Sequence, residues 1–192
     1  MLRHEAHRSS DTGDNAMTDY RRFYIPNSTW FFTVNLAERQ NNHLLVERIE
    51  TLRASFSYVK ERRPFYINAV VIMPDHLHCI WTLPPDDADF STRWNLLKGH
   101  FSRAIDKGER VSKSRYKRRE RGLWQRRFWA HLIVDQADFN NHVNYIHWNP
   151  VKHGWVQKVV DWPYSSFHKF VERGIYPNTW GYSGEFTIDG GE

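Results

Sequence analysis

Two histidines one residue apart, His76 and His78, lie at the centre of residues 70–83, VVIMPDHLHCIWTL. The apolar run before them turns at Pro74-Asp75. Strand alternation after the turn sets His76, His78, Ile80 and Thr82 on one face and Leu77, Cys79, Trp81 and Leu83 on the other. Two imidazoles on one face can hold a divalent metal through two nitrogens, leaving positions open for another ligand and a substrate oxygen. Two polar residues on a solvated sheet face beside a turn would have the same spacing, so the pair alone leaves both readings open.

A second group of reactive side chains lies in residues 135–150, DQADFNNHVNYIHWNP. Asp135 is placed to cap a helix over about 136–148 that stops near Asn149-Pro150. Three- and four-residue spacing lines up Asp138, His142, Tyr145 and Asn149 on one side, with Phe139, Val143 and Ile146 on the side that can pack on a sheet. A phenol one turn before a carboxamide offers a nucleophile and a ligand oxygen on one rigid element. It equally fits a packed aromatic followed by a helix-capping Asn149. His142 could assist a proton transfer, or pack, or bind phosphate.

These residues need a scaffold, and 192 residues suffice for one domain with a substantial core. Lys and Arg number 27 against 22 Asp and Glu, and the chain has nine Trp, twelve Phe and nine Tyr. Basic charge with many stacking rings suits a nucleic-acid partner, although core packing also explains many of the rings. The single cysteine, Cys79, excludes an internal disulfide framework and a Cys-based zinc cluster, which fits a reducing cytosol. No secretory apolar region and no run near the roughly 20 residues of a membrane span is visible, so a soluble, cytoplasmic protein without a membrane partner is expected.

Residues 1–19 read as a disordered extension and 183–192 as a flexible tail, with the folded domain over 20–182. Arg21 and Arg22 could meet phosphates while Tyr24 stacks on a base. TWFFTVNL at 29–36 reads as the first strand, and 43–62 as an amphipathic helix with the stripe Ile49, Leu52, Phe56 and Val59, closed by Pro64. Strands at 66–73 and 77–83 follow. A helix from Phe90, capped by Asp89 or Ser91, presents Trp94, Leu97, Phe101 and Ile105. Residues 98–127 then hold twelve Lys or Arg against three acidic residues. Within this run Arg115, Lys117, Arg118, Arg119, Arg121, Arg126 and Arg127 are candidate phosphate contacts, as is Lys152 further on; the alternative is a solubilising loop. A strand at 128–134 precedes the helix of Tyr145. The order strand, helix, strand, strand, helix, strand, helix implies an α+β fold: an antiparallel sheet of four or five strands with helices packed on one face.

The ordered set YRRFYIPNSTWFFTVNL, MPDHLHCIW, GLWQRRFW, YIHWNPVKHGWV and DWPYSSF closely resembles the REP-associated tyrosine transposases, a branch of the HUH single-strand transposases, over about residues 20–182. The resemblance implies a ferredoxin-like or RRM-like fold, with His76 and His78 as metal ligands, Asn149 as the third ligand and Tyr145 as the nucleophile. Some HUH relatives carry Glu or Gln at the third position. It further implies Mg²⁺ or Mn²⁺, a 5′-phosphotyrosine intermediate, and a single-stranded substrate with a REP palindromic hairpin and a 5′ tetranucleotide. A monomer working in cis at the nucleoid is the matching expectation. A phenol of pKa about 10 is a weak nucleophile at neutral pH, so a metal that neutralises the phosphate suits this chemistry. Two rivals are a non-catalytic RRM-like nucleic-acid-binding domain and a metal-dependent nuclease that uses water.

Overall fold

Alternating large apolar side chains make Thr29–Asn35 the inner strand β1, which buries Trp30, Phe32 and Val34 on one face and Phe31 on the other. The computed structural model describes residues 25–181. The expectations for the extension at 1–19, for Arg21, Arg22 and Tyr24, and for the tail at 183–192 fall outside that range.

After β1 come α1 (Leu44–Glu47) and α2 (Ile49–Arg62), then β2 (Tyr66–Ile72) and β3 (His76–Thr82). They are followed by α3 (Phe90–Arg103), α4 (Lys113–Lys117), β4 (Trp129–Leu132), α5 (Gln136–Lys152), a 3₁₀ turn at Val159–Asp161 and α6 (Phe167–Glu172). The four strands form one antiparallel sheet in the order β2-β3-β1-β4. Two interleaved strand-helix-strand units of this order make a ferredoxin-like sheet.

α2 and α3 pack on one face, where Leu52, Val59, Trp94, Leu97 and Phe101 meet Trp30, Phe32, Cys79 and Trp81. The Trp81 and Trp94 rings stack at 4.1 Å. Fully burying side chains of this size contributes about 2–3 kcal/mol each relative to exposure. The opposite face receives α5, whose Val143 and Ile146 cover Ala69, Val71 and Ile80 toward the β2–β3 side. Arg93 is fully buried in the α2–α3 joint. It donates to the carbonyls of Arg63, Pro64 and Asp89 and to Asp87 Oδ2 at 2.7–3.2 Å, so the charge is paired where a bare one would be expelled.

Three boundaries differ from the sequence reading. The helix expected at 43–62 is interrupted at Arg48, whose φ of −112° and ψ of 35° leave the helical range, and Leu45 N–H, free in the first turn of α1, ties it to the β2–β3 turn through the Pro74 carbonyl at 3.0 Å. The fourth strand is shorter than 128–134. The third difference bears on the site: α5 does not stop at Asn149-Pro150 but runs through Pro150 to Lys152. Gly154, at φ +71°, ends it. The N–H of Gly154 reaches the Val151 carbonyl and that of Trp155 the Pro150 carbonyl, both at 2.9 Å, a glycine-terminated double closure. Proline here forfeits one backbone bond, and the burial of Asn149 and Pro150 holds the turn in place.

The C-terminal WPYSSF segment packs back on the domain and covers the free edge of β2. Ile72 N–H donates to the Tyr164 carbonyl and Ser166 N–H to the Val70 carbonyl, each at 2.8 Å. Trp162 Nε1 donates to the Ile72 carbonyl at 3.0 Å, and Phe167 is fully buried.

Candidate active site

His76 and His78 share the β3 face that looks toward α5, and both are buried rather than solvated, at 4% and 3% exposure. Their rings are 5.0 Å apart and nearly perpendicular. Each has its Nδ1 engaged. His76 Nδ1–H donates to Asp75 Oδ1 at 2.6 Å, and Thr33 Oγ1 lies 2.8 Å from His78 Nδ1. Thr33 is directly opposite His78 across the β1–β3 ladder. The Asp75 carboxylate, which can only accept, holds the proton on His76 Nδ1, and the same tautomer at His78, with Thr33 accepting, leaves both Nε2 lone pairs as ligand atoms.

The electrostatics make His78 a neutral ring and Asp75 an ionised partner. Burial pushes the His78 imidazole well below its usual pKa, and the neighbouring His76, His153, Lys152 and Arg39 add to the effect, so the ring is neutral. Burial pushes the Asp75 carboxyl up, but hydrogen bonds from His76 and from Arg39, whose Nε lies 2.6 Å from Oδ2, outweigh it and bring the pKa to about 2. Asp75 is therefore an acceptor at neutral pH.

α5 crosses this pair. The Tyr145 ring meets the His78 ring edge-on at 5.1 Å, and two turns later the His153 ring meets His76 at 5.4 Å. Asn149 is four residues from each, so its buried carboxamide stands midway along the helix segment that spans the two imidazoles. Neither Oδ1 nor Nδ2 of Asn149 has a hydrogen-bond partner, and neither has His78 Nε2. A buried carboxamide and imidazole left this way are costly unless a ligand completes them, so the donor set fits a divalent cation. The alternative of Asn149 as a helix cap is removed, since His153 and Gly154 close the helix. The row Asp138, His142, Tyr145, Asn149 was expected on a polar side. Instead it faces the sheet, with His142 4.6 Å and Tyr145 5.9 Å from the Phe31 ring.

A second cation-competent group lies beside the first. His131, Asp138 and His142 bring one donor atom each within 4.8 Å of one another. His131 Nε2 is 2.9 Å from Asp138 Oδ2, and His142 Nδ1 is 2.9 Å from Asp138 Oδ1. Burial pushes the Asp138 carboxyl up, and the Val134 N–H with the His131 ring holds it below the usual range. A His/Asp cluster suited to a divalent metal is thus present, distinct from the HLH pair.

The basic candidates separate into two sets. Arg115 donates to the carbonyls of Arg121 and Trp124 at 2.8 and 2.9 Å, Arg121 to Glu109 and to the carbonyls of Ser102, Ile105 and Asp106, and Arg126 to Glu120 at 2.7 Å. These guanidiniums hold the 98–127 segment together. Lys117, Arg118, Arg119 and Arg127 are exposed. So is Lys152, whose Nζ also lies 5.1 Å over the Tyr145 ring.

Residues 29–149 match the family model described as "Transposase IS200 like". The chain is 48% identical over 164 residues to the REP-associated tyrosine transposase of Escherichia coli K12, covering 85% of this chain and 91% of that one. The chain belongs to the REP-associated tyrosine transposases. It is 43% identical to a putative member from Haemophilus influenzae, over 91% of this chain and 99% of the relative. A solved structure of a REP-associated tyrosine transposase bound to a REP hairpin superposes with a TM-score of 0.74 at 46% identity, covering 90% of this chain and 96% of that one. The chain is accordingly a single-strand DNA endonuclease and transposase acting through a tyrosine. Sequence reasoning about this transposase missed Thr33, Arg39 and His153 around the histidine pair. Asp75 was visible as the residue before His76, whereas Thr33 emerges only from strand register.

Proposed function

We propose that Tyr145 cuts and rejoins single-stranded DNA at REP hairpins, with Mg²⁺ or Mn²⁺ held by His76, His78 and Asn149. The observation that carries this reading is the position of Asn149, buried and unpartnered midway between a tyrosine on His78 and a histidine on His76. A cation bound there supplies charge neutralisation and orientation for the scissile phosphate. Thr33 and Asp75 fix the imidazoles, and α5 holds the phenol against them, so little reorganisation precedes attack. Tyr145 Oη bonds to phosphorus, the bond to the 3′ oxygen breaks, and that oxygen leaves as a hydroxyl. The 5′-phosphotyrosine retains the ester energy, so a second 3′-OH can attack it and restore Tyr145.

The hairpin substrate is supported by the REP hairpin bound in the related structure, and the 5′ tetranucleotide beside it belongs to this reading. Lys117, Arg118, Arg119, Arg127 and Lys152 are the phosphate contacts on this reading. Because Tyr145 and both histidines meet within one chain, a monomer acting in cis suffices, and a chromosomal palindrome as substrate puts the protein in the cytoplasm at the nucleoid.

The test is incubation of a labelled single-stranded REP hairpin with protein and Mg²⁺, followed by denaturing electrophoresis. Wild type should give a covalent protein–DNA band and a free 3′-OH fragment. Tyr145→Phe keeps the packing against Phe31 and His78 and should give neither, while binding the hairpin within about twofold of wild type. Cutting at the wild-type rate by Tyr145→Phe would leave a water nucleophile as the mechanism.

A further inference from the structure

The sheet face that bears the histidine pair is only partly covered. α5 lies over its β2–β3 side, and on the edge strand β4 Trp129 remains 48% exposed. Thr33 pairs with His78 on one side and with Trp129 on the other, so His78, Thr33 and Trp129 form one row across three strands with their side chains on the same face. Neighbouring strands lie about 4.8 Å apart, which sets Trp129 roughly 10 Å from the metal-binding row position. At about 3.4 Å per nucleotide of a stacked strand, that span is two to three nucleotides.

The ring is also held in place. Trp129 stacks on His131 at 5.6 Å with 6° between planes, and His131 stacks on His142 at 4.7 Å and 19°. Asp138 accepts from both histidines, and the Trp129 edge rests on Phe31 at 5.5 Å. An indole fixed on two sides and open on the rest loses little entropy on stacking with a flat ligand. Exposed Arg127 precedes it in the chain and supplies positive charge for the backbone of a strand lying there.

From this juxtaposition we propose that Trp129 is a base-stacking platform that grips a nucleotide of the single strand beside the scissile phosphate and so positions the strand for Tyr145. The proposal rests on the reading of the site given above. Its ligand is a nucleobase, taken with little regard to identity, since every base presents a π-face.

The probe is a single-stranded REP hairpin with 2-aminopurine placed at one position at a time in the segment flanking the stem, bound to Tyr145→Phe protein so that the strand stays uncut. One position should be quenched on binding. That quench should vanish in Trp129→Ala and persist in Trp129→Phe, with affinity about tenfold weaker in the alanine variant alone. In otherwise wild-type protein, Trp129→Ala should raise the DNA concentration for half-maximal adduct formation by about tenfold and leave the rate at saturating DNA within about twofold. A merely structural role would lower the saturating rate and the melting temperature as well, and that result overturns the proposal. Quench and affinity unchanged in Trp129→Ala overturn it too. If the unsubstituted protein forms no adduct with this DNA, the failure belongs to the transposase reading of the site and not to Trp129.

Discussion

Asp75 and Thr33 orient the two imidazoles: the carboxylate accepts from His76 Nδ1–H, and the hydroxyl engages His78 Nδ1. When the Thr33 hydroxyl, 2.8 Å away, accepts from His78 Nδ1–H, Nε2 carries the lone pair a metal needs. Thr33→Val preserves the β-branched shape and removes that partner. It should weaken Mn²⁺ binding by about 10–100-fold, measured by calorimetric titration of the protein without DNA, while the melting temperature changes little. Unchanged metal affinity would place the cation elsewhere, and the His131–Asp138–His142 group would then be the site to examine. The same ring chemistry keeps His78 neutral: burial disfavours its charged form, so no proton has to leave before a metal binds at neutral pH.

Among elements, α5 carries the proposed nucleophile and third ligand, and its length sets their geometry. Had the helix ended before Pro150, His153 would not lie 5.4 Å from the His76 ring and Asn149 would be a terminal cap. Its counterpart on the other face is the α2–α3 pair, joined by the buried Arg93 and its four acceptors. Arg93→Ala strands three carbonyls and a carboxylate. It should cost about 2–3 kcal/mol in chemical denaturation, with the rate of adduct formation per folded molecule unchanged because this joint lies across the sheet from the histidines.

For the whole molecule, basic charge is divided between residues that hold the fold and residues left exposed. Glu109 hydrogen-bonds with Arg121, and that contact brings its pKa from 4.5 to about 2 against the opposing effect of burial. A carboxyl whose folded pKa is depressed stabilises the protein above the unfolded value and loses that contribution as pH falls through the folded one. The gap in melting temperature between wild type and Glu109→Gln should therefore be full above about pH 5 and shrink between pH 4.5 and 2. A gap constant across that window would mean the pair contributes no pH-dependent stability. The exposed Lys117, Arg118 and Arg119 stand outside this network. Replacing all three by Ala should reduce the slope of log affinity against log salt by as much as about 2–3, with little change in discrimination between matched and scrambled tetranucleotides. An unchanged slope would place this loop away from DNA.

The sequence by itself determined the strand-helix order, the antiparallel sheet and the two reactive segments, because strand and helix periods are local properties of the chain. Alternation in HLHCIWT sufficed to set His76 and His78 on one face apart from Cys79 and Trp81, and three- and four-residue spacing sufficed to align Tyr145 with Asn149. Tertiary structure decided what those alignments mean. Only the β1–β3 register brings Thr33 to His78, and only the packing of α5 on the sheet turns an apparently polar helix side inward. Folding likewise chose among the arginines, spending Arg115, Arg121 and Arg126 on carbonyls and carboxylates that lie 6–19 residues away in sequence and leaving Lys117, Arg118 and Arg119 exposed. Composition counts charges alike, and it is the folded chain's unsatisfied acceptors that distinguish them.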